Sequence, residues 1–397
     1  MNRWIVVIGA LLIQVALGAI YIWSVFKGPL MKQFKWDAAS TNLTLSITLL
    51  VFAIGTVVFG KLQDKIGPTK VATLGGILLI AGFLLASKTT TVGWLYLTFG
   101  VLGGAGIGAG YVCPIATCVK WFPDKKGLIT GLAVAGFGAG GLVFAPIAKN
   151  LIAQVGILST FAYLGVILGV CVIIGAQFLK NPPPGYKPAG WNPPATVAGK
   201  ASANDFTTGE MVKTPQFYLV WVSYLFGAAA GLMIIGNASP IAQAQGLSLA
   251  AATSAVMALS VFNSVGRILW GVVSDKVGRT KTLMVLFVIC GLTMLCLKML
   301  TGTSILIGIC LIGLCFGGFL ALYPSLTADY FGTKNLGMNY GSVFMAYGIA
   351  GVGGPMLYDL MKSPVAGQLS TTPLMVSGIL CFVSLVLIIL TKPPVKA

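Results

Sequence analysis

Long apolar runs alternate with short polar breaks along the whole chain. Twelve runs stand out, at residues 4–27, 40–60, 69–87, 93–118, 128–149, 157–179, 215–238, 248–272, 282–300, 304–327, 338–360 and 372–391. Each is read as a membrane-spanning helix, since about 20 residues cross a bilayer core. The first run, after Met1-Asn2-Arg3-Trp4, is too long for the core of a signal peptide and reads as a first span. The one long break, 181–214, contains Pro182-Pro183-Pro184-Gly185 and Asn192-Pro193-Pro194. Such a stretch cannot continue a helix and is expected to be an extended linker. The seventh helix is expected to start with Thr214 as N-cap and Pro215 in its first turn. The pattern predicts an all-α membrane protein in three parts. These are a six-helix bundle over 1–180, a linker over 181–214 and a second six-helix bundle over 215–397.

The composition agrees with this pattern. Hydrophobic residues make up 57% of the 397 and charged residues 8%, against about 25% charged in a soluble domain. No polar segment is long enough for a separate catalytic domain. The net charge of +17 suggests nucleic acid on a soluble protein. On a membrane protein it marks the cytoplasmic loops. With both termini placed in the cytoplasm, seventeen basic residues fall on that side and seven outside. The expectation is a multi-pass protein of a bacterial-type inner membrane, with the lipid bilayer and no nucleic acid as partner. All eight cysteines lie in apolar segments and read as buried small side chains, without a disulfide framework. With no histidine, a histidine switch, metal site or triad is excluded. No enzyme activity, metal or cofactor is expected.

The two halves repeat. Gly60-Lys-Leu-Gln-Asp64-Lys65-Ile-Gly67-Pro-Thr-Lys70 matches Gly271-Val-Val-Ser-Asp275-Lys276-Val-Gly278-Arg279-Thr-Lys281 at an offset of 211. Pro114 pairs with Pro324, and Gly131 with Gly341, at an offset of 210. Two parallel repeats are a transporter architecture. Asp64, Lys65, Asp275, Lys276 and Arg279 are therefore candidate gating residues. An Asp near a helix N-terminus that pairs with a basic neighbour can hold one side closed. The alternative is a polar turn with topogenic charges. The 52 glycines fit helices that pack and slide closely, in a carrier or in a purely structural bundle.

Arg267 is the one charge placed inside a span. Asp275 follows eight residues later, about 12 Å along a helix, which puts Arg267 near the midplane. A charge there is costly unless it faces a cavity or a partner. None of the eight acidic residues lies mid-span, so a substrate carboxylate is the expected counter-ion. The alternatives are snorkelling to the surface or capture by helix carbonyls. Asn263, one turn earlier, can bond the substrate or hold the guanidinium. Tyr111 and Tyr323, in the fourth and tenth helices, are candidate wall residues of a substrate cavity. For Tyr21, packing or an interfacial role competes with substrate contact.

The duplicated Gly-x-x-x-Asp-Lys-x-Gly-x-x-Lys loop resembles the signature of the major facilitator superfamily. Gly18-Ala-Ile-Tyr21-Ile-Trp23-Ser24, Trp121-Phe-Pro-Asp-Lys-Lys-Gly127, Asp205-Phe-Thr-Thr-Gly-Glu-Met211 and Thr214-Pro-Gln-Phe217 narrow the resemblance. They are similar to the oxalate/formate antiporter family and its bacterial monocarboxylate-transporter relatives. The resemblance implies that Arg267 is the substrate-binding arginine and that Tyr111 lines the pocket. It also implies that the position of Tyr347 is a lysine in the oxalate carrier, and that Phe137 and Leu320 stand where that carrier has tyrosines. One cation instead of two suits one carboxylate. The expected function is alternating-access transport of a small monocarboxylate such as lactate or pyruvate, coupled to protons, by a monomer. Anion exchange of the oxalate/formate type and a transporter-like sensor are the alternatives.

Overall fold

A computed structural model describes residues 2–191, 205–361 and 369–395, with no strand among the described residues. The helices are α1 (Arg3–Phe34), α2 (Ala38–Ile66), α3 (Pro68–Ala86) and α4 (Val92–Trp121). The stretch Lys126–Gln177 breaks at Gly156, which has φ 78° and ψ 167°. It is therefore two helices, α5 over 126–155 and α6 over 157–177. The second half holds α7 (Pro215–Ala244), α8 (Leu249–Val277), α9 (Arg279–Met299), α10 (Ser304–Phe331), α11 (Leu336–Met361) and α12 (Thr371–Leu390). Among the described residues, ten helical stretches are long and apolar enough to cross a membrane. The break at Gly156 makes eleven helices of them. The twelfth, α11, is long enough but rich in glycine and polar positions.

Local chemistry explains the boundaries. Asp37 caps α2 by accepting from the Ser40 amide at 2.8 Å. Thr214 caps α7 in the same way, with Pro215 as the first helical residue. The sharp turns α2–α3 and α8–α9 pass through Gly67 (φ 92°) and Gly278 (φ 100°). L-residues rarely adopt that backbone region, so the repeated loop needs a glycine there.

In the first half α1 lies against α5 and α6, α3 against α6, and α4 against α2 and α3. In the second, α8 lies on α10, α7 on α11 and α9 on α12. The halves meet where α2 crosses α11 and α5 crosses α8. Ile8, Val58, Tyr163, Met257, Ile307 and Ile379 are exposed, as suits a surface covered by lipid tails. Among the cysteines, Cys296 is exposed and Cys171 half-buried. This corrects the expectation of burial: a membrane protein has apolar surface as well as apolar core.

One face gathers the repeated loops. Arg3 pairs with Asp124 at 2.7 Å, which brings the start of α1 to the α4–α5 loop. The Tyr330 hydroxyl donates to the Thr391 carbonyl, which brings the end of α12 beside the end of α10. This basic face therefore holds both ends of the described chain. The expected linker is only partly extended. Asn192-Pro193-Pro194 lies outside the described residues. Further on, Thr207 and Glu210 form a capping box over the one-turn helix Thr208–Met211. The Phe206 amide donates to the Phe331 carbonyl, and the Asn335 and Asn339 side-chain amides donate to the Phe206 carbonyl at 3.0 Å. The end of the linker is thereby fastened to the α10–α11 loop.

Candidate functional site

The two crossings between halves are tight at the basic face. Each is built on a pair of facing glycines, Gly60 with Gly337 and Gly271 with Gly127. A methyl group on any of the four would collide with backbone or side-chain atoms of the facing helix. Further along, Thr56 faces Gly341 and Arg267 faces Gly131. Towards the opposite face the α2–α11 crossing loosens. A methyl on Gly351 would sit 3.5 Å from Leu49, and one on Gly353 would touch nothing. The protein is closed at the basic face.

Two aspartates bridge the halves there, each from one half onto a helix of the other. Asp64 accepts from the amides of Gly337 (3.3 Å) and Met338 (2.9 Å) in the first turn of α11. Asp275 accepts from the amides of Gly127 (2.9 Å) and Leu128 (2.8 Å) in the first turn of α5. Both satisfy orphan amides and complement the positive end of a helix. Around Asp275, Arg279 donates at 2.6 Å and also reaches Asp329, which pairs with Lys126 at 2.7 Å. Asp64 has Lys120 at 3.9 Å. Lys65 and Lys276 are exposed and make no ion pair among the described residues. Of the five gating candidates, Asp64, Asp275 and Arg279 therefore take part in the closed contacts.

Arg267 lies deeper, on the inner face of α8, and is fully buried. Its Nε donates to Asn263 Oδ1 at 3.2 Å, and its Nη1 donates to the Val134 carbonyl on α5. Asn263 thus holds the guanidinium. The buried Nη2 has no hydrogen-bond partner. No carboxylate lies within ion-pair distance of Arg267 among the described residues. Gly138 leaves the room for this: a methyl there would lie 3.1 Å from Arg267 Cζ and 2.8 Å from Ser264 Oγ. One tip of the guanidinium fork therefore carries a donor with no acceptor, and the other is bonded to the Val134 carbonyl.

Aromatic rings cluster in the core between the halves. Phe344 is central, with ring centroids 4.9 Å from Tyr111, 5.2 Å from Phe52 and 4.7 Å from Tyr347. Phe137 lies 5.1 Å from Tyr111 and 5.4 Å from Tyr21. The Tyr21 and Tyr347 hydroxyls share a hydrogen bond of 3.2 Å across the halves. Arg267 is within electrostatic reach of Tyr111, Tyr224 and Tyr347. The fold thus brings together Arg267, Asn263, Tyr111, Tyr347, Tyr21 and Phe137. Leu320 is buried on α10. Tyr323 is placed differently: its hydroxyl is bonded to Ser223 Oγ at 2.8 Å, and its ring stacks on Tyr224 at 4.1 Å. Sequence reasoning missed Phe52, Tyr224, Tyr340 and Phe344. Tyr340, Phe344 and Tyr347 are spaced i, i+4, i+7, which already marks one face of a helix.

This geometry can seat a small anion. A buried guanidinium with an open donor holds the charge, phenols lie beside it, and apolar rings shape the rest. Comparison with known proteins places the architecture. The profile of the Major Facilitator Superfamily matches residues 6–355. The oxalate:formate antiporter of Oxalobacter formigenes is 31% identical over 357 residues, covering 89% of this chain and 83% of that protein. Monocarboxylate transporter 12 of Xenopus laevis is 29% identical over 393 residues, covering 93% and 83%. In fold, the chain is similar to FucP, a transporter solved in the outward conformation. The TM-score is 0.74 at 15% identity, over 98% of this chain and 99% of that one.

Proposed function

The chain belongs to the Major Facilitator Superfamily, and from that premise we propose that it carries small monocarboxylates such as lactate or pyruvate across the membrane. One observation carries the reading. Arg267 is fully buried, has an unpartnered Nη2 and has no ion-paired carboxylate among the described residues. A buried cation in that state costs several kcal/mol, and an anionic substrate relieves it. Similarity to an oxalate:formate antiporter and a monocarboxylate transporter supports a carboxylate cargo. A single buried cation favours one carboxylate per substrate. The substrate site comprises Arg267, Asn263, Tyr111, Tyr347 and Tyr21, with Tyr323 supporting it through Tyr224.

Transport proceeds by alternating access between 1–180 and 215–397, joined by 181–214. Substrate enters from the face opposite the basic one and pairs with Arg267, and the halves rock. The locks at Asp64 and Asp275, with Arg279 and the neighbouring Lys65 and Lys276, then open the basic face. The orientation puts that face and both termini in the cytoplasm, in a bacterial-type plasma membrane, with the monomer as the working unit. Uptake is coupled to protons. The antiporter relative favours a second reading, anion exchange. Counterflow of labelled lactate in proteoliposomes tests transport itself. A pH gradient and an internal carboxylate, each applied alone, separate symport from exchange. No counterflow of lactate or pyruvate would overturn the proposed cargo.

A further inference from the structure

The segment Asp205–Met211 takes no part in the substrate site, and a plain tether would need none of its contacts. Phe206 and Met211 are buried. The Phe206 ring meets the Phe331 ring edge-on at 5.7 Å. Besides the bonds at the Phe206 backbone, the Asp205 carboxylate accepts from the Lys334 amide at 3.1 Å. The Thr208 hydroxyl donates to Asn339 Oδ1 at 2.7 Å. Each of these bonds ends on the close of α10, the start of α11 or the loop between them. The segment is thereby fixed to the second half.

Asn339 is fully buried at the start of α11. Its side chain is taken up by the linker at both ends: Nδ2 donates to the Phe206 carbonyl, and Oδ1 accepts from Thr208. The two residues before it, Gly337 and Met338, give their amides to Asp64 of the first half. The turn that receives Asp64 therefore rests on the linker. Lys120 stands on the other side, at the end of α4 in the first half, with its side chain 16% exposed. It lies 3.9 Å from Asp64 and within electrostatic reach of Asp205.

The internal repeat shows what this arrangement replaces. At the α5–α8 crossing, Asp329 of the second half pairs with Lys126 of the first at 2.7 Å. At the offset of 210 that relates Pro114 to Pro324, the counterparts of Asp329 and Lys126 are Val119 and Leu336. The α2–α11 crossing thus has no matching ion pair from its own helices. The linker brings an acid, Asp205, to the side where Lys120 follows Val119 in the chain.

We propose that the end of the linker is a third latch of the basic face, in which Asp205, anchored on the second half, holds Lys120 of the first. The segment behind it sets the turn of α11 that receives Asp64. Opening of the basic face parts Asp205 from Lys120, so the linker is a working part of the cycle as well as a tether. The proposal rests on the alternating-access part of the reading above and is independent of the cargo.

The test uses the full-length protein in membrane vesicles without substrate. A cysteine replaces buried Thr56 in a background without the native cysteines, and a membrane-impermeant maleimide is applied from the basic face. Asp205→Asn keeps an acceptor for the Lys334 amide and loses only the charge. It should label about fivefold faster than the parent, the scale of one partly screened ion pair, and the difference should shrink as added salt screens that pair. Lys120→Gln should label faster still, since it loses Asp64 as well. Adding Asp205→Asn to Lys120→Gln should change nothing further, because the two residues act through one contact. Thermal midpoints check that each variant is folded, and the salt comparison needs no Lys120 variant. An unchanged labelling rate in Asp205→Asn overturns the latch. So do effects that multiply in the double variant, since Asp205 then acts without Lys120. If neither the parent nor any variant, Asp275→Asn included, labels from the basic face, alternating access itself fails and the proposal with it.

Discussion

The two crossings between the halves are images of each other by the internal repeat, yet only one carries a charge in its middle. At the basic face they agree. Gly60 facing Gly337 corresponds to Gly271 facing Gly127, and Asp64 on α11 corresponds to Asp275 on α5. Deeper, they part. Arg267 on α8 has Thr56 as its counterpart on α2, and Asn263 has Phe52. Tyr347 and Phe344 on α11 have Phe137 and Val134 on α5. The α5–α8 crossing therefore supplies the guanidinium and its supports, and the α2–α11 crossing supplies rings and a phenol. Thr56 is satisfied by the Ala53 carbonyl at 2.6 Å, whereas Arg267 keeps an open donor. Positions that must fit backbone against backbone stayed alike in both copies. Positions deeper in the core differ between the copies, and the one buried guanidinium lies among them.

Removing the charge tests that contrast most strongly. Arg267→Ala and Arg267→Lys should each lower lactate uptake by a hundredfold or more, as breaking a buried ion pair costs about 3–5 kcal/mol. The lysine fails because an ammonium cannot reproduce the planar fork. Uptake by reconstituted, folded protein measures this, and near-normal rates in both variants would remove Arg267 from the site.

The reverse experiment adds a charge to the ring-lined crossing. Tyr347→Lys places a second cation near the first and breaks the bond to Tyr21. Lactate transport should fall by tens of times or more, since an uncompensated cation costs about 2.5–3.5 kcal/mol. Competition by oxalate should rise, because the second cation can neutralise a second carboxylate. Equal competition by oxalate in wild type and variant would show that Tyr347 does not set the substrate's charge.

The two locks should respond unequally. Asp64 has one cation at 3.9 Å, and Pro68 occupies the position matching Arg279. Its side chain is 9% exposed, against 17% for Asp275. Asp275→Asn should weaken the closed basic face by about 2 kcal/mol, the scale of hydrogen bonds to charge, because it loses two amide contacts under 3 Å and the Arg279 pair at 2.6 Å. Asp64→Asn should do so by about 1 kcal/mol, because its contact to Gly337 is long, at 3.3 Å, and its cation stands at 3.9 Å. The readout is labelling from the basic face of a cysteine placed at buried Thr130, in a background without the native cysteines. Faster labelling in the Asp64 variant than in the Asp275 variant would reverse this ranking. Smallest of all, Thr56→Ala, at the mirror position of Arg267, should change lactate uptake by no more than about fivefold, as a single neutral hydrogen bond is worth about 1 kcal/mol. A larger loss in the same uptake assay would mean that the uncharged crossing also binds substrate.

Much of the frame was legible along the chain because its causes are local. Apolar runs of membrane-spanning length mark helices, and Thr214-Pro215 marks a helix start. Gly67 and Gly278 mark turns that only a glycine makes comfortably. Arg267 was legible as well, since a lone cation in an apolar run has to be explained. The break at Gly156 and the folded end of the linker were visible only as a glycine and as a Thr207/Glu210 pair. Neither is decisive without the packing around it. Tyr323 was legible as a tyrosine of the tenth helix, and only the packing brings its hydroxyl to Ser223.

By itself, the sequence determined the twelve helices, the repeat that pairs Asp64 with Asp275, and the lone cation inside an apolar run. Hydropathy, turn chemistry and duplication act between residues that are neighbours or stand at a fixed offset. The tertiary structure alone decided which groups meet. It set Tyr21 against Tyr347 across 326 residues of chain. It laid Asp64 on the first turn of α11 and left Arg267 Nη2 buried without a hydrogen-bond partner. Such contacts depend on how closely glycine-lined helices approach and on how each side chain turns within the gap, and no local pattern along the chain records either.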